Sequence, residues 1–236
     1  MGFGDITKRS TAIEIMDDLD MSGEILVDSL DKIASINQWL GGNGVTLKGL
    51  KSLFRSLPKT ETYTLADLGC GNGDLLREAA LFGRKNGFTF KLTGIDANQA
   101  TIDHAITLSK EFPEIEYIKE DILSEKFQER QFDLILCTLF LHHFTNLEIE
   151  AFLKAQIRKT SIGIIINDLH RNWIAYILFQ FVCLFIKNEM VKTDGLISIQ
   201  KGFTKKEILD FSLKLKCNSE LRWKWAFRYQ WIIKTI

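Results

Sequence analysis

The stretch ADLGCGNGD at residues 66–74 decides how this chain is interpreted. It overlaps the end of the apolar run TYTLADL, typical of a strand, and leads into DLLREAALFGRKNG, which has the spacing of an amphipathic helix. Glycines between a strand and a helix let backbone N–H groups approach a ligand at the helix N-terminus. The sequence therefore predicts that a nucleotide-like ligand binds at this turn.

Asp96 ends the next strand-like run, FKLTGID, 23 residues after Gly73. A carboxylate at this place can accept hydrogen bonds from the hydroxyls of a ribose. A dinucleotide-binding turn is an alternative, but its fingerprint is GxGxxG, whereas the spacing here is GxGxG and Asp74 stands where the third glycine belongs. A carboxylate beside a pyrophosphate is repulsive, whereas Asp67 and Asp74 suit a ligand that carries positive charge.

Strand-like and helical runs alternate on both sides of this turn. FKLTGID, IEYIKED, QFDLILCT and SIGIIIND are strand-like and are separated by helical segments, which implies right-handed crossovers and a parallel sheet. Aromatic residues at every odd position from Trp223 to Trp231 predict two final strands around a kink near Ala226 or Arg228. We predict an α/β fold with a Rossmann-like, seven-stranded mixed sheet, mostly parallel with an antiparallel C-terminal strand, and helices on both faces.

Two regions lie outside this alternation. Residues 1–60 predict a helical lid, with helices over AIEIMDDLDM, GEILVDSLDKIASINQWL and residues 47–57, ahead of a core domain at 61–236. An apolar insertion at about 171–203 contains the helix WIAYILFQFVCLFI (173–186), followed by the polar loop KNEMVKTDG. Its 14 residues are fewer than the about 20 that span a bilayer. We interpret it as a core, dimer-forming or membrane-interfacial helix.

Composition limits the partners. The 236 residues are 46% hydrophobic and 25% charged, which suits one globular core. Thirty basic and thirty acidic residues leave no net field to attract nucleic acid, so a small uncharged or apolar partner is favoured. The four cysteines form no CxxC pair, which argues against a zinc site or a disulfide framework, and the acidic N-terminus is unlike a signal peptide. We expect a cytoplasmic protein without a transmembrane span.

The motifs DLGCGNGD, GID, KEDI and FDLILC occur in the order seen in class I S-adenosylmethionine-dependent methyltransferases, which residues 61–170 resemble. The resemblance implies S-adenosylmethionine as cofactor, with S-adenosylhomocysteine as product. It implies that Gly69, Gly71 and Gly73 line the methionine part, that Asp96 holds the ribose, and that Asp121 and Ile122 bracket the adenine, while Asp67, Cys70, Ala97 and Thr138 complete the predicted cofactor site. A turn or helix-cap role is the alternative for Asp121.

After the fourth strand the chain reads CTLFLHHF, without the NPPY-type motif of methyltransferases that act on base amines or glutamine. The LHHF stretch resembles small-molecule methyltransferases of the ubiquinone and menaquinone biosynthesis type. We therefore expect O-methylation, ahead of C- or N-methylation, of a small phenolic, polyketide or isoprenoid acceptor.

Removal of a phenolic proton, whose pKa is about 10, benefits from an imidazole. His143 and His170 follow the ends of strands four and five and are the predicted catalytic bases, with a packing role as the alternative for each. The predicted substrate-binding residues are Phe140, His142, Asp168, Arg171 and Trp173. Asp168 either orients a histidine or caps the next helix, and no metal site is expected. Arg9, Asp17 and Asp18 either close over the cofactor or lie on a solvated helix face.

Two other functions stay open at this stage. A non-catalytic regulatory or scaffold protein would bind S-adenosylmethionine without turning over an acceptor, and an NAD-dependent oxidoreductase is a third choice. Peripheral membrane contact and a homodimer are further expectations.

Overall fold

The computed structural model describes residues 6–235 and centres on one seven-stranded sheet of order β3-β2-β1-β4-β5-β7-β6. Strands β1 to β5 are parallel, and β7 is antiparallel to both of its neighbours. The strands are β1 (Thr62–Leu68), β2 (Thr89–Asp96), β3 (Ile115–Lys119), β4 (Leu134–Thr138), β5 (Gly163–Leu169), β6 (Asn218–Lys224) and β7 (Arg228–Lys234). The predicted mixed sheet is confirmed, and its strand order reverses between β1 and β4, where open α/β sheets bind ligands.

Helices cover both faces of this sheet. They are α1 (Glu24–Trp39), α2 (Gly42–Phe54), α3 (Asp74–Asn86), α4 (Gln99–Leu108), α5 (Glu125–Gln128), α6 (Asn146–Ile157), α7 (Trp173–Cys183), α8 (Glu189–Lys201) and α9 (Lys205–Leu215). Single 3-10 turns occur at Ile15–Asp17, here called the N-terminal turn, and at Leu141–His143. Within residues 6–235, no helix has the length and apolarity needed to cross a membrane.

Apolar side chains pack on each face of the sheet. On one face Leu50 and Phe54 of α2 are fully buried against Leu65 of β1 and Leu76 of α3. Helix α2 therefore shares the core of the sheet, so within residues 6–60 the segments that stand over the carboxyl edge are the N-terminal turn and α1. The division of the chain at residue 60 stays a prediction.

Two local predictions near the site are wrong. Residues 12–21 form no α-helix: Ile13 and Ile15 point outward while Glu14 is buried, which is an extended alternation. The Asp194 carboxylate accepts the N–H groups of Ile15 and Met16 and pins the short turn there.

The segment after residue 186 is also not a polar loop. It forms α8, whose first turn is capped by the Asn188 side chain through the N–H of Val191 at 3.0 Å. Helix α7 is not a core helix either, since Ala175 is the one α7 residue that is buried. Leu178, Phe179, Phe181 and Val182 of α7 line the cavity described below, and the Phe179 ring also packs against Gly195 of α8.

Candidate functional site

The turn between β1 and α3 exposes its backbone to a cavity. Gly69, Gly71 and Gly73 all have positive φ, which glycine adopts without strain. A Cβ on Gly69 would lie 2.1 Å from the Phe140 ring, and one on Gly73 would lie 2.1 Å from the hydroxyl of Tyr117. A Cβ on Gly71 would meet no atom closer than 3.9 Å. Gly71 is therefore the open point of the turn, and the other two glycines allow close packing.

Carboxylates surround this turn. Asp96, at the end of β2, accepts the N–H of Asn98 at 3.0 Å and of Gly71 at 3.4 Å, and burial raises its pKa. Burial raises the pKa of Asp67 well above its ordinary value, and the negative charges of Asp74 and Asp96 add to this. An anionic ligand would be repelled here, whereas a cationic ligand would relieve the repulsion among the three acids.

The cavity at the carboxyl edge has a volume of about 1280 Å³ and reaches from this turn to α7 and α8. Thirteen of the predicted site residues line it: Asp67, Gly69, Cys70, Gly71, Asp96, Ala97, Asp121, Ile122, Thr138, Phe140, His142, His143 and His170. Four do not: Gly73, Asp168, Arg171 and Trp173. Since a pocket for one drug-sized ligand measures roughly 300–1,000 Å³, there is room for two molecules.

Residues that follow β3 and the last residue of β4 form another part of the cavity wall. Ile122 is buried in the wall, while Asp121 is exposed and its carboxylate accepts the N–H of Leu123 at 2.9 Å, a turn role. Thr138 ends β4, and its hydroxyl pairs with that of Thr46 on α2 at 2.8 Å. Asp121, Ile122 and Thr138 all line the cavity.

His143 has a charged partner on the N-terminal turn. Its Nδ1 lies 2.7 Å from Asp17 Oδ1, and both side chains are about three-quarters buried. Burial lowers the pKa of His143, but the hydrogen bond to Asp17 and the charges of Glu14 and Asp17 outweigh it and raise the pKa above its ordinary value. Because Nδ1 is held by Asp17, Nε2 is the nitrogen left to face the cavity.

His142 is held differently from its neighbour. Its Nδ1 lies 2.7 Å from Asp168 Oδ1, and the Asp168 carboxylate also accepts the N–H of Leu169. Burial raises the pKa of Asp168, but the charge of His142 and these hydrogen bonds bring it below its ordinary value. Nε2 of His142 is buried and has no hydrogen-bond partner among the described residues; it lies 3.9 Å from Glu14 Oε1. Asp168 is therefore in contact with a histidine ring, and its role in orienting that ring stays a prediction.

Glu14, His142 and His143 bring three potential metal-ligand atoms within 4.8 Å of one another. However, the ammonium of Lys201 lies 3.2 Å from Glu14 Oε1 and 3.1 Å from Asp17 Oδ2. A cation already occupies the charged side of this cluster, so the residues do not fit a divalent ion well.

The remaining predicted residues have structural contacts. The Arg171 guanidinium is buried and pairs with Glu207 at 2.8 Å, tying β5 to α9. Trp173 is 57% exposed at the start of α7. His170 does line the cavity, and its Nδ1 accepts the indole N–H of Trp223 at 3.3 Å. A neutral His170 then carries its proton on Nε2, an arrangement that favours donation of a hydrogen bond over removal of a proton.

Several cavity residues were missed by sequence reasoning. They are Glu14 and Leu26, Leu30, Asn37 and Trp39 near α1, Leu178, Phe179, Phe181 and Val182 on α7, Asp194 and Ser198 on α8, and Arg228 on β7. For Glu14, the alternation Ile-Glu-Ile was an available signal, because an extended segment places the acid opposite the two isoleucines. Most of the others come from segments that no short motif marks.

Comparisons with known proteins agree with this geometry. Residues 65–161 match a family described as "Methyltransferase domain". A ubiquinone biosynthesis O-methyltransferase of Rickettsia bellii is 29% identical over 134 residues, which cover 56% of this chain and 51% of that protein. The match thus spans about half the length of that relative.

Solved structures share the fold. The plantazolicin methyltransferase BpumL in complex with S-adenosylhomocysteine has a TM-score of 0.64 at 16% identity, covering 89% of this chain and 88% of that one. An O-methyltransferase family protein from Burkholderia thailandensis has a TM-score of 0.63 at 15% identity, covering 89% of this chain and 59% of that one. The sheet order, the open glycine turn and its acids define a nucleoside-binding α/β domain. Together with the family match, they make residues 65–161 similar to a methyltransferase domain, on a Rossmann-like sheet of the kind found in class I S-adenosylmethionine-dependent methyltransferases.

Proposed function

We propose that this chain transfers a methyl group from S-adenosylmethionine to a hydroxyl of a small, largely apolar acceptor. The observation that carries the proposal is the continuous cavity: an acidic glycine turn forms one end, apolar side chains of α1 and α7 form the other, and His143 lies on its wall. Its volume of about 1280 Å³ exceeds what one ligand of this size needs.

The cofactor end fits S-adenosylmethionine by shape and charge. Gly71 offers bare backbone, Asp96 offers a carboxylate for ribose hydroxyls, and Asp67 and Asp74 favour positive charge. When bound there, S-adenosylmethionine supplies an activated methyl group and leaves as S-adenosylhomocysteine. The same three acids disfavour the pyrophosphate of NAD.

His143 is the general base of this proposal. Asp17 fixes its Nδ1, so that Nε2 can take the proton of the acceptor hydroxyl, and the side chain is one-quarter exposed to the cavity. His170 is oriented to donate a hydrogen bond and is proposed to position the acceptor. Nε2 of His142 has no hydrogen-bond partner among residues 6–235 and is buried 3.9 Å from Glu14 Oε1. We therefore assign His142 a packing role in the cavity wall.

The name of the Rickettsia relative supports an O-methyl product, but the relatives do not define the acceptor. The Rickettsia protein is named as an enzyme of ubiquinone biosynthesis. Two structural neighbours are named as a plantazolicin methyltransferase and as a domain of the citrinin polyketide synthase. These names refer to different compounds. Phenolic, polyketide and isoprenoid compounds are therefore the first acceptors to test. Homodimer formation, peripheral membrane contact and a cytoplasmic location stay predictions.

The test is transfer of labelled methyl from S-adenosylmethionine to hydroxyl-bearing acceptors of these three classes, each beside its methyl ether. Label should enter the hydroxyl compounds and not the ethers. His143→Ala should lower turnover roughly 100-fold or more, the scale of general-base catalysis, while the affinity for S-adenosylhomocysteine is retained. Near-normal turnover of the variant overturns the role of His143. Cofactor binding without transfer to any acceptor points to the non-catalytic scaffold instead.

A further inference from the structure

Arg228 is a buried cation for which the described residues provide no carboxylate within ion-pair distance. It begins β7 and is 3% exposed, and its Nε and Nη1 are buried with no hydrogen-bond acceptor among residues 6–235. Burial lowers its pKa to about 10, and the negative charge of Asp168 offsets this only in part. Among the described residues, no carboxylate lies within the 4.0 Å of an ion pair, unlike Arg171, which has Glu207.

The surroundings of Arg228 hold it in place and leave other polar atoms unpaired. A Cβ on Gly42 would lie 3.0 Å from Arg228 Cζ and 1.9 Å from Asn37 Oδ1, so the first turn of α2 packs directly against both groups. Within the part of the chain that the structure describes, Asn37 Oδ1 is buried without a hydrogen-bond partner, and so is Asn167 Oδ1 on the adjacent strand. Unpaired buried polar atoms are uncommon in folded proteins, and several together indicate a position that a ligand completes.

Arg228 also lines the cavity, and so do Trp225, Phe227, Leu169 and His170. Leu169 is its register partner in the sheet. In the strand order β1-β4-β5-β7, Arg228 stands three strand positions from the glycine turn, which is roughly 14 Å at the spacing of paired strands. The backbone of Arg228 is therefore displaced from the glycine turn, toward the part of the sheet edge that carries His170.

We propose that Arg228 binds the carboxylate of an apolar acid in this cavity, and that this acid is the methyl acceptor. The inference rests on the proposed function and adds a charged anchor to the acceptor. A guanidinium presents a planar pair of N–H donors that matches a carboxylate. The neighbouring Asp168 weakens attraction for an anion of higher charge, which favours a single carboxylate over a phosphate.

The anchor changes the expectation drawn from composition. A net charge of zero favours an uncharged partner only if the charges are evenly distributed, and here the cavity wall contains a buried cation that Asp168 compensates only in part. The acceptor that fits has a carboxylate at one end, an apolar body between α1 and α7, and a hydroxyl that reaches His143.

A binding experiment tests this without knowledge of the natural acceptor. Decanoate and decanol, which share an apolar chain and differ in the carboxylate, are titrated calorimetrically into protein saturated with S-adenosylhomocysteine. The proteins are the wild type, Arg228→Gln, the charge-conserving Arg228→Lys, and the control Arg222→Gln, whose exposed side chain pairs with Glu220.

The wild type should bind decanoate more tightly than decanol. Arg228→Gln should weaken decanoate binding roughly tenfold to a hundredfold, the scale of a charged hydrogen bond, with little effect on decanol. Arg228→Lys should give an intermediate loss, and Arg222→Gln none. Equal binding of acid and alcohol by the wild type, or no binding of the acid, overturns the proposal whatever the variants do.

A parallel titration with S-adenosylhomocysteine separates the two carboxylates that Arg228 could meet, since that molecule carries one of its own. Its affinity should be the same in the wild type and Arg228→Gln. A large loss of S-adenosylhomocysteine affinity with decanoate binding unchanged would place Arg228 in the cofactor site and refute the acceptor anchor. Failure of the wild type to bind S-adenosylhomocysteine would count against the proposed function itself.

Discussion

Replacing Asp17 by asparagine tests whether the N-terminal turn controls the proton of His143. The two side chains meet at 2.7 Å with exposures of 29% and 25%. Hydrogen bonds to charged groups contribute about 1.5–3 kcal/mol, whereas exposed ion pairs contribute about 0.2–1 kcal/mol. Because the pair is partly exposed, we place its contribution to stability between the two ranges, at about 1.4 kcal/mol. This corresponds to a shift of about one pKa unit.

The direction follows from the charges. Asparagine keeps a hydrogen-bond acceptor and loses the negative charge, so in Asp17→Asn the raised pKa of His143 should fall by about one unit. The ion pair stabilises the fold fully between pH 3.8 and pH 6.5, which are the ordinary pKa values of Asp17 and His143. Its stabilisation is lost as the pH falls through the lowered pKa of Asp17, and as the pH rises through the raised pKa of His143.

The assay is an NMR titration of the imidazole resonances. The sequence has four histidines, so His143→Ala assigns the signal. Asp18→Asn is the matched control, because Asp18 is the adjacent acid but is exposed. The reasoning is refuted if Asp17→Asn leaves the pKa of His143 unchanged, or if Asp18→Asn lowers it equally.

Other substitutions test the cofactor end of the cavity. Asp96→Asn should weaken S-adenosylhomocysteine binding roughly tenfold to a hundredfold in calorimetry, while Asp103→Asn on the exposed side of α4 leaves it unchanged; equal affinities would contradict the role of Asp96. Gly69→Ala should lower the free energy of unfolding in urea by about 1–3 kcal/mol, because φ is +66° and the new Cβ meets an aromatic ring at 2.1 Å. Gly44→Ala, with nothing within 4 Å, should be neutral or stabilising, and the reverse order would refute this packing argument. Treatment with a chelator should leave methyl transfer unchanged, since Lys201 occupies the charged side of the Glu14 cluster, and activity restored only by added metal would contradict this.

The sequence was informative where the signal is local. The glycine turn, Asp96 and the alternation of strands and helices depend on neighbours in sequence or on regular spacing, so the sheet and the cofactor edge could be predicted. The final hairpin was equally visible from its alternating aromatic residues, and the structure confirms a turn between β6 and β7.

The acceptor half of the cavity could not be predicted in the same way. His143 and its partner Asp17 are 126 residues apart, and pairing at that distance leaves no local pattern. Arg228 was noted only as a place for a kink, because nothing in the sequence indicates that its charge is buried and unpaired. Arg171 was predicted to bind substrate because the sequence does not show its ion pair with Glu207. That pair forms only once α9 packs against β5.

Calorimetric titration of the purified protein with S-adenosylhomocysteine and, separately, with NAD tests the central claim most directly. Because the glycine turn is open at Gly71 and surrounded by Asp67, Asp74 and Asp96, S-adenosylhomocysteine should bind and NAD should not. Binding of NAD without binding of S-adenosylhomocysteine would contradict the assignment of this edge to a methyl donor.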